Sequence, residues 1–177
     1  MARATGPIYN VKFRRRRENR TDYARRLALL KSGRTRLVVR RTNRNVIVHF
    51  VNFDERGDRT VCLANSKSLA KFNWKPRRNL PTAYLTGLLA GKEALRRGVR
   101  DAILDTGLTT SSRSSLVFGA LRGVLDAGVS VPHGENLVDE GRLKGAHMDA
   151  FAKSKGGASS VVEEFERAKR AIMEAGG

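Results

Sequence analysis

Residues 35–51 read TRLVVRRTNRNVIVHFV, and the way this stretch pairs with itself decides the fold. Two runs rich in β-branched and aliphatic residues, Thr35–Arg41 and Asn45–Phe53, flank a polar turn at Thr42-Asn43-Arg44, which is the pattern of a β-hairpin. In the second run Val46, Val48, Phe50 and Asn52 alternate with Ile47, His49, Val51 and Phe53. Both faces are largely apolar, as expected of a central strand covered on both sides. Arg40, Arg41 and Arg44 crowd the turn, so the same stretch also raises the question of an anionic partner.

Outward from the hairpin, a turn at Asp54–Asp58 leads to a third strand, Arg59–Ala64. Upstream, a short helix is expected from Thr21, capped by Thr21 or Asp22, with Tyr23, Leu27, Leu29 and Leu30 on its apolar side and Gly33 at its end. Downstream, NSKSLAKFNWKPRRN at 65–79 reads as a second basic loop. Pro81–Arg97 forms a helix with Pro81 in its first turn and Gly98 at its C-terminal cap. Gly87 and Gly91, one turn apart, are expected to let it lie close against the sheet. Arg100–Asp105 is a fourth strand, and Ser115–Ala127 a further helix ended by Gly128.

The order β-β-β-α-β-α specifies an α/β layered domain with a mixed central sheet. The chain divides into an extended basic arm at 1–20, an α/β core at 21–148, and a linker with a C-terminal amphipathic helix at 149–177. In that last helix Ser160 and Glu163 have capping-box spacing, and Phe165, Ala168 and Ile172 line one side.

The 177 residues, 40% hydrophobic, allow one domain with a mainly aliphatic core, and the single Cys62 excludes an internal disulfide. No signal peptide or membrane span is visible, so a soluble, cytoplasmic protein is expected. The net charge is +18, and it is unevenly spread. Residues 1–100 carry 26 Lys and Arg against 6 Asp and Glu, a net of +20, whereas residues 101–177 carry 9 against 11, a net of −2. Such a bias opposes folding unless a polyanion neutralises it, and arginine, with 25 copies, offers a planar fork for phosphate.

Catalytic motifs fail on inspection. Gly87–Glu93 is one residue short of a phosphate loop and has Glu93 where a Ser or Thr must bind magnesium. Asp105-Thr106-Gly107 resembles the signature of aspartic proteases, in which a homodimer would supply the second carboxylate, but Leu108 follows where a small residue is usual. His49, His133 and His147 are scattered and form no zinc set with Cys62. No enzyme, cofactor, metal or small-molecule substrate is expected.

Basic and planar side chains are instead interleaved. Tyr9, Phe13 and Tyr23 accompany Lys12, Arg14, Arg15, Arg16, Arg17 and Arg20, while Phe72 and Trp74 lie among Lys71, Lys75, Arg77 and Arg78. Aromatics that stack on unpaired bases beside arginines that hold phosphates suit structured RNA. Each ring has an alternative role as an anchor to the core. A general nucleic-acid chaperone would use the same charge without a fixed site.

The blocks FRRRRENRTDYARRLALLKSG, TRLVVRRTNRN, NLPTAYLTGLLAGKEAL, AILDTGL, FGALRGVLDAGVSVPH and RLKGAHM occur in an order that resembles the archaeal branch of the large ribosomal subunit protein eighteen family. The resemblance runs from about Gly6 to Met148. It implies a structural protein that binds 5S ribosomal RNA in the central protuberance and also meets the 23S-type RNA and neighbouring large-subunit proteins. Carried over by position, the RNA-binding residues are Arg14, Arg15, Arg16, Arg17, Arg20, Tyr23 and Arg26 in the arm, with Arg40, Arg41, Asn43 and Arg44 at the hairpin turn. Arg36 joins this set from the first strand. Asn73 stands where the family pattern leads one to expect glycine, and the region after Met148 matches no part of the pattern.

Overall fold

β-branched residues and alternation produce the sheet where the sequence places it. The computed structural model describes residues 6–110, 112–135, 138–156 and 160–175. Positions 1–5 of the arm and 157–159 of the expected linker lie outside the described residues. The elements are α1 (Arg14–Arg17), α2 (Tyr23–Leu30), β1 (Arg36–Arg41), β2 (Val46–Asn52), β3 (Arg59–Asn65), a 3₁₀ helix (Ser66–Phe72) and α3 (Leu80–Arg96). They continue with β4 (Ile103–Asp105), α4 (Leu116–Ala127), α5 (Glu140–Lys144), α6 (Ala146–Ser154) and α7 (Val161–Glu174). No helix among the described residues is long and apolar enough to cross a membrane.

The strands form one mixed sheet in the order β3-β2-β1-β4. β1 and β2 pair antiparallel through a turn closed by Thr42, whose backbone N–H donates to Asn45 O (2.8 Å) and whose hydroxyl accepts from Asn45 N (2.9 Å). β4 returns to lie parallel to β1, with Asp105 beside Val38. On the first face Leu37, Val39, Val46, Val48, Phe50 and Cys62 are buried against α3 and α4.

The second face departs from expectation. Ile47 and His49 are only half-buried, so β2 is central but not covered on both sides. What lies over this face is α2, capped by Asp22, whose side chain accepts from Arg25 N. α2 is tied to opposite edges of the sheet by polar contacts. Arg25 donates to Gly107 O beyond β4 (3.2 Å), and Arg26 reaches Asp58 ahead of β3 (2.8 Å). The arm before it is not wholly extended, because Arg14–Arg17 form one helical turn.

Glycines set the helical layer, in a different way from the one expected. Gly87 and Gly91 face α4 instead of the sheet: a Cβ at Gly87 would sit 2.0 Å from Ala120 O. Gly123 of α4 answers them, since a Cβ there would sit 2.1 Å from Tyr84 O. The backbones of α3 and α4 therefore touch.

Behind α3 lies a second apolar cluster, in which Phe165, Ala168 and Ile172 of α7 pack with Leu69, Trp74, Tyr84, Leu85 and Leu88. The C-terminal helix thus docks on the chain's own core through the side lined by Phe165, Ala168 and Ile172. Its first turn is capped by Asp149 of α6, which accepts from Val161 N (3.0 Å) and Val162 N (3.2 Å). The expected Ser160 and Glu163 box is not formed, because Ser160 makes no side-chain cap bond.

Alanine is ordinarily about 1 kcal/mol better than glycine inside a helix. At Gly123 the sign should reverse, and Gly123→Ala should destabilise by about 3 kcal/mol or more through overpacking. Urea unfolding measures this, and an unchanged or raised midpoint would show that the helices do not cross so closely.

Candidate nucleic-acid interface

A guanidinium at the edge of an apolar sheet needs acceptors before it can be buried, since an unpaired interior charge is strongly unfavourable. Arg36 projects from β1 onto the second face and is 2% exposed. Its Nη1 donates to Asp105 Oδ2 (3.1 Å), and its Nη2 lies 2.6 Å from Asp58 Oδ2, a close charge contact outside hydrogen-bond alignment. Asp58 also receives Arg26 Nη2 at 2.8 Å. Asp105 Oδ1 also accepts from Arg40 Nη2 (3.0 Å) and from the Gly107 amide (2.8 Å), while Arg40 Nη1 donates to Asp105 O (2.8 Å). Three arginines and two aspartates form one connected frame across β1, β4, α2 and the loop before β3.

The electrostatics follow from this geometry. Burial disfavours charge on Asp105, yet Arg40, the Gly107 amide and Arg36 outweigh it and hold the carboxyl below its ordinary value. Burial likewise opposes Asp58, and Arg26 and Arg36 bring it below the ordinary value. The hydrogen bond to Asp58 raises Arg26 in turn. His49, on the same face, is lowered by burial first and by the Arg40 charge second.

The Asp-Thr-Gly motif is thereby explained without catalysis. Asp105 is saturated by two guanidinium groups and an amide, so it has no free edge on which to share a proton with a second carboxylate. Gly107 has φ +59°, and the Arg40 guanidinium lies 3.0 Å from where a Cβ would stand. Both conditions call for glycine.

The residues singled out from the sequence fall into three environments. Arg26, Arg36 and Arg40 face the protein's own carboxylates and form the frame, a pairing the sequence did not suggest. Lys12, Arg14, Arg16 and Arg17 of the arm, with Arg41, Asn43 and Arg44 at the turn, are exposed, and among the described residues these cations have no carboxylate partner. Arg15 donates to Thr21 Oγ1 (2.8 Å) and Arg20 pairs with Glu18 (3.2 Å), both in exposed contacts. Tyr9 is exposed, and Phe13, 71% exposed, leans on half-buried Tyr23 with ring centroids 5.1 Å apart.

The third environment is the loop after β3. Lys71, Lys75, Arg77 and Arg78 are exposed there, but Trp74 is a correction to the expected stacking set. At 4% exposure its ring is closed between neighbours: it meets Phe165 edge-on at 6.2 Å, and its Nε1 donates to Thr82 Oγ1 (2.8 Å). Asn73 just before it is left-handed at φ 57°, ψ 25°, a conformation that glycine adopts freely and asparagine tolerates. This loop begins at the hairpin end of the sheet, where Ser66 Oγ accepts from Val46 N (3.2 Å). It then joins the helical layer and does not share the second face with the arm.

Asp58 and Asp105 were not anticipated as site-building residues. For Asp58 the usable signal was scarcity: one of only 6 acids among the 26 basic residues of positions 1–100 has reason to hold a partner inside the chain, whereas Asp105 lies in the acid-rich half and carried no such signal.

A family model described as "Ribosomal large subunit proteins 60S L5, and 50S L18" matches residues 8–102 and 96–134. The large ribosomal subunit protein uL18 of Korarchaeum cryptofilum is 51% identical over 159 residues, 89% of this chain and 82% of that protein. The uL18 of Halobacterium salinarum is 45% identical over 181 residues, 97% of this chain and 99% of its own. That of Methanothermobacter thermautotrophicus is 47% identical over 153 residues, covering 85% and 80%. The Halobacterium alignment reaches past Met148, so the region that had matched no part of the family pattern falls within a relative's length. On the family match and these identities together, the chain belongs to the uL18 family of large ribosomal subunit proteins.

Proposed function

We propose that this protein is a structural constituent of the large ribosomal subunit that binds 5S rRNA through its arm, the second face of its sheet and the hairpin turn. In this role it would help to anchor 5S rRNA to the 23S-type RNA in the central protuberance. One observation carries the proposal: uncompensated cations of the arm and turn stand beside a sheet face whose own charges are already fixed. Lys12, Arg14, Arg16, Arg17, Arg41 and Arg44 are the phosphate-binding residues, with Arg15 and Arg20 exchanging weak surface contacts for RNA. Exposed ion pairs contribute at most about 1 kcal/mol, so that exchange is cheap. Tyr9, Phe13, Tyr23 and Asn43 contact bases or sugars. Arg26, Arg36 and Arg40 shape the surface, and Lys71, Lys75, Arg77 and Arg78 supply a second basic edge for the large-subunit RNA.

The frame favours this role over that of a general chaperone. Buried ion pairs hold one arrangement of the second face, whereas nonspecific charge neutralisation requires none. With 5S rRNA the affinity should fall by orders of magnitude between about 50 and 200 mM salt if roughly six to ten phosphates are engaged. Excess transfer RNA should leave the complex intact, while its displacement by transfer RNA would indicate the chaperone. Deletion of residues 1–20 should abolish or badly weaken binding and leave the far-ultraviolet dichroism of the core unchanged, since no residue of 6–20 is buried.

Acid should dismantle the frame. Because Asp58 and Asp105 titrate below the ordinary aspartate value of about 3.9, their stabilisation is complete above that value and lost as pH falls through their lowered values. Asp105→Asn should remove much of this loss and, by leaving Arg36 short of a partner, destabilise at neutral pH by about 3–5 kcal/mol. Denaturant midpoints across pH 2–7 check both, and an Asp105→Asn protein as stable as the parent would contradict the buried frame.

A further inference from the structure

Two recesses meet at Arg40 on the second face. The first, about 280 Å³, lies between α2 and the sheet, with Val38, Val51 and Leu29 as its apolar surfaces, His49 and Thr60 as polar ones, and Asp22 and the frame's Asp58 and Asp105 also in its wall. Arg15, Arg20 and Arg25 also line it. The second, about 350 Å³, is formed by Arg20, Arg40 and Arg41 with the loop Thr106–Thr110. The two share Arg20, Arg40, Gly107 and Leu108.

Two features of this loop have no role in the fold or the frame. Leu108 is 54% exposed at the boundary between the recesses. Thr106 is 5% exposed, and its Oγ1 has no hydrogen-bond partner among the described residues, an unfavourable state that an incoming acceptor would relieve. A cationic recess with a spare hydroxyl, adjoining a slot that offers Val38 and Val51 beneath hydrogen-bonding groups of both charges, has the chemistry of an anion joined to a flat ring with polar edges.

The geometry points to a seat for a single unstacked RNA nucleotide. Its phosphate occupies the recess of Arg20, Arg40, Arg41 and Thr106, its base enters the cleft over Val38 and Val51, and Leu108 divides the two. This rests on the RNA-binding reading above and adds to it a nucleotide turned out of its helix, in a loop or bulge, where unpaired bases are accessible to side chains. A contact made to helical backbone alone would leave the cleft between α2 and the sheet without an occupant.

The two halves of the seat respond differently to salt. Phosphate neutralisation releases counterions, so Arg41→Ala should lower both the affinity for a 5S rRNA transcript and the slope of its salt dependence. Thr60→Phe, on an exposed position of β3, fills the cleft without changing any charge. It should weaken binding several-fold at an unchanged slope, because the base loses its seat while every phosphate contact is kept. Thr106→Val keeps the side-chain shape and removes only the hydroxyl. It should leave the free protein at least as stable as the parent and still weaken the complex several-fold.

Base-specific chemical probing of the bound transcript supplies an independent readout. One base shielded in the parent complex should become reactive with Thr60→Phe. Parental affinity and protection for both Thr60→Phe and Thr106→Val would overturn the nucleotide seat and leave the RNA-binding reading standing. Absence of salt-dependent binding by the unaltered protein would overturn that reading itself.

Discussion

A buried arginine makes severe demands on its surroundings. Arg36 can occupy the second face of the sheet only because Asp58 and Asp105 arrive there from opposite edges, and each aspartate is satisfied by a further arginine. The same contacts tie α2 over the sheet, orient the loop after β4 and fix the guanidinium of Arg40 against Gly107. A surface with a large positive excess thus acquires a definite shape before any partner arrives. The frame consumes three arginines, while among the described residues Arg14, Arg16, Arg17, Arg41 and Arg44 have no carboxylate partner, so the division between paired and unpaired charge is set largely by where two acids stand.

The neutral half supports this surface from behind. Glycines at 87, 91 and 123 bring α3 and α4 into backbone contact, and the pair buries the first face of the sheet. α7 then closes over Trp74 and Tyr84. Trp74 connects the layers to the basic loop, because its burial and its bond to Thr82 anchor the chain just before Lys75, Arg77 and Arg78. Rigidity at the basic edge is in this way inherited from packing on the far side.

Much of the architecture was legible in the sequence because period and punctuation agreed. The hairpin, the α3 and α4 helices and the capping positions at Asp22 and Gly128 follow from alternation, stripes and turn residues, whereas the Asn79 cap of α3 was not read from the sequence. Contacts distant in sequence were not legible. Periodicity cannot say whether Gly87 faces a sheet or a helix, nor that Asp149 would displace Ser160 as the cap of α7. The apolar second face of β2 suggested full cover, but α2 is held over that face by polar contacts and leaves Ile47 and His49 half-buried. Among the candidate site residues, exposure and type identified the arm and turn, while Trp74 could not be told from a stacking ring until its neighbours were known. Arg36 read as one more basic residue because its partners lie 22 and 69 positions away.

On this reading a pre-shaped cationic face, backed by a rigid neutral layer, would meet RNA at the arm, the hairpin turn and the loop after β4. Amide hydrogen exchange of the protein alone and in complex with 5S rRNA tests this most directly. The account predicts new protection over residues 8–26, 40–45 and 106–110, with the exposed face of α7 unchanged. Protection centred on α7, with the arm and turn exchanging as freely as in the unbound protein, would contradict it.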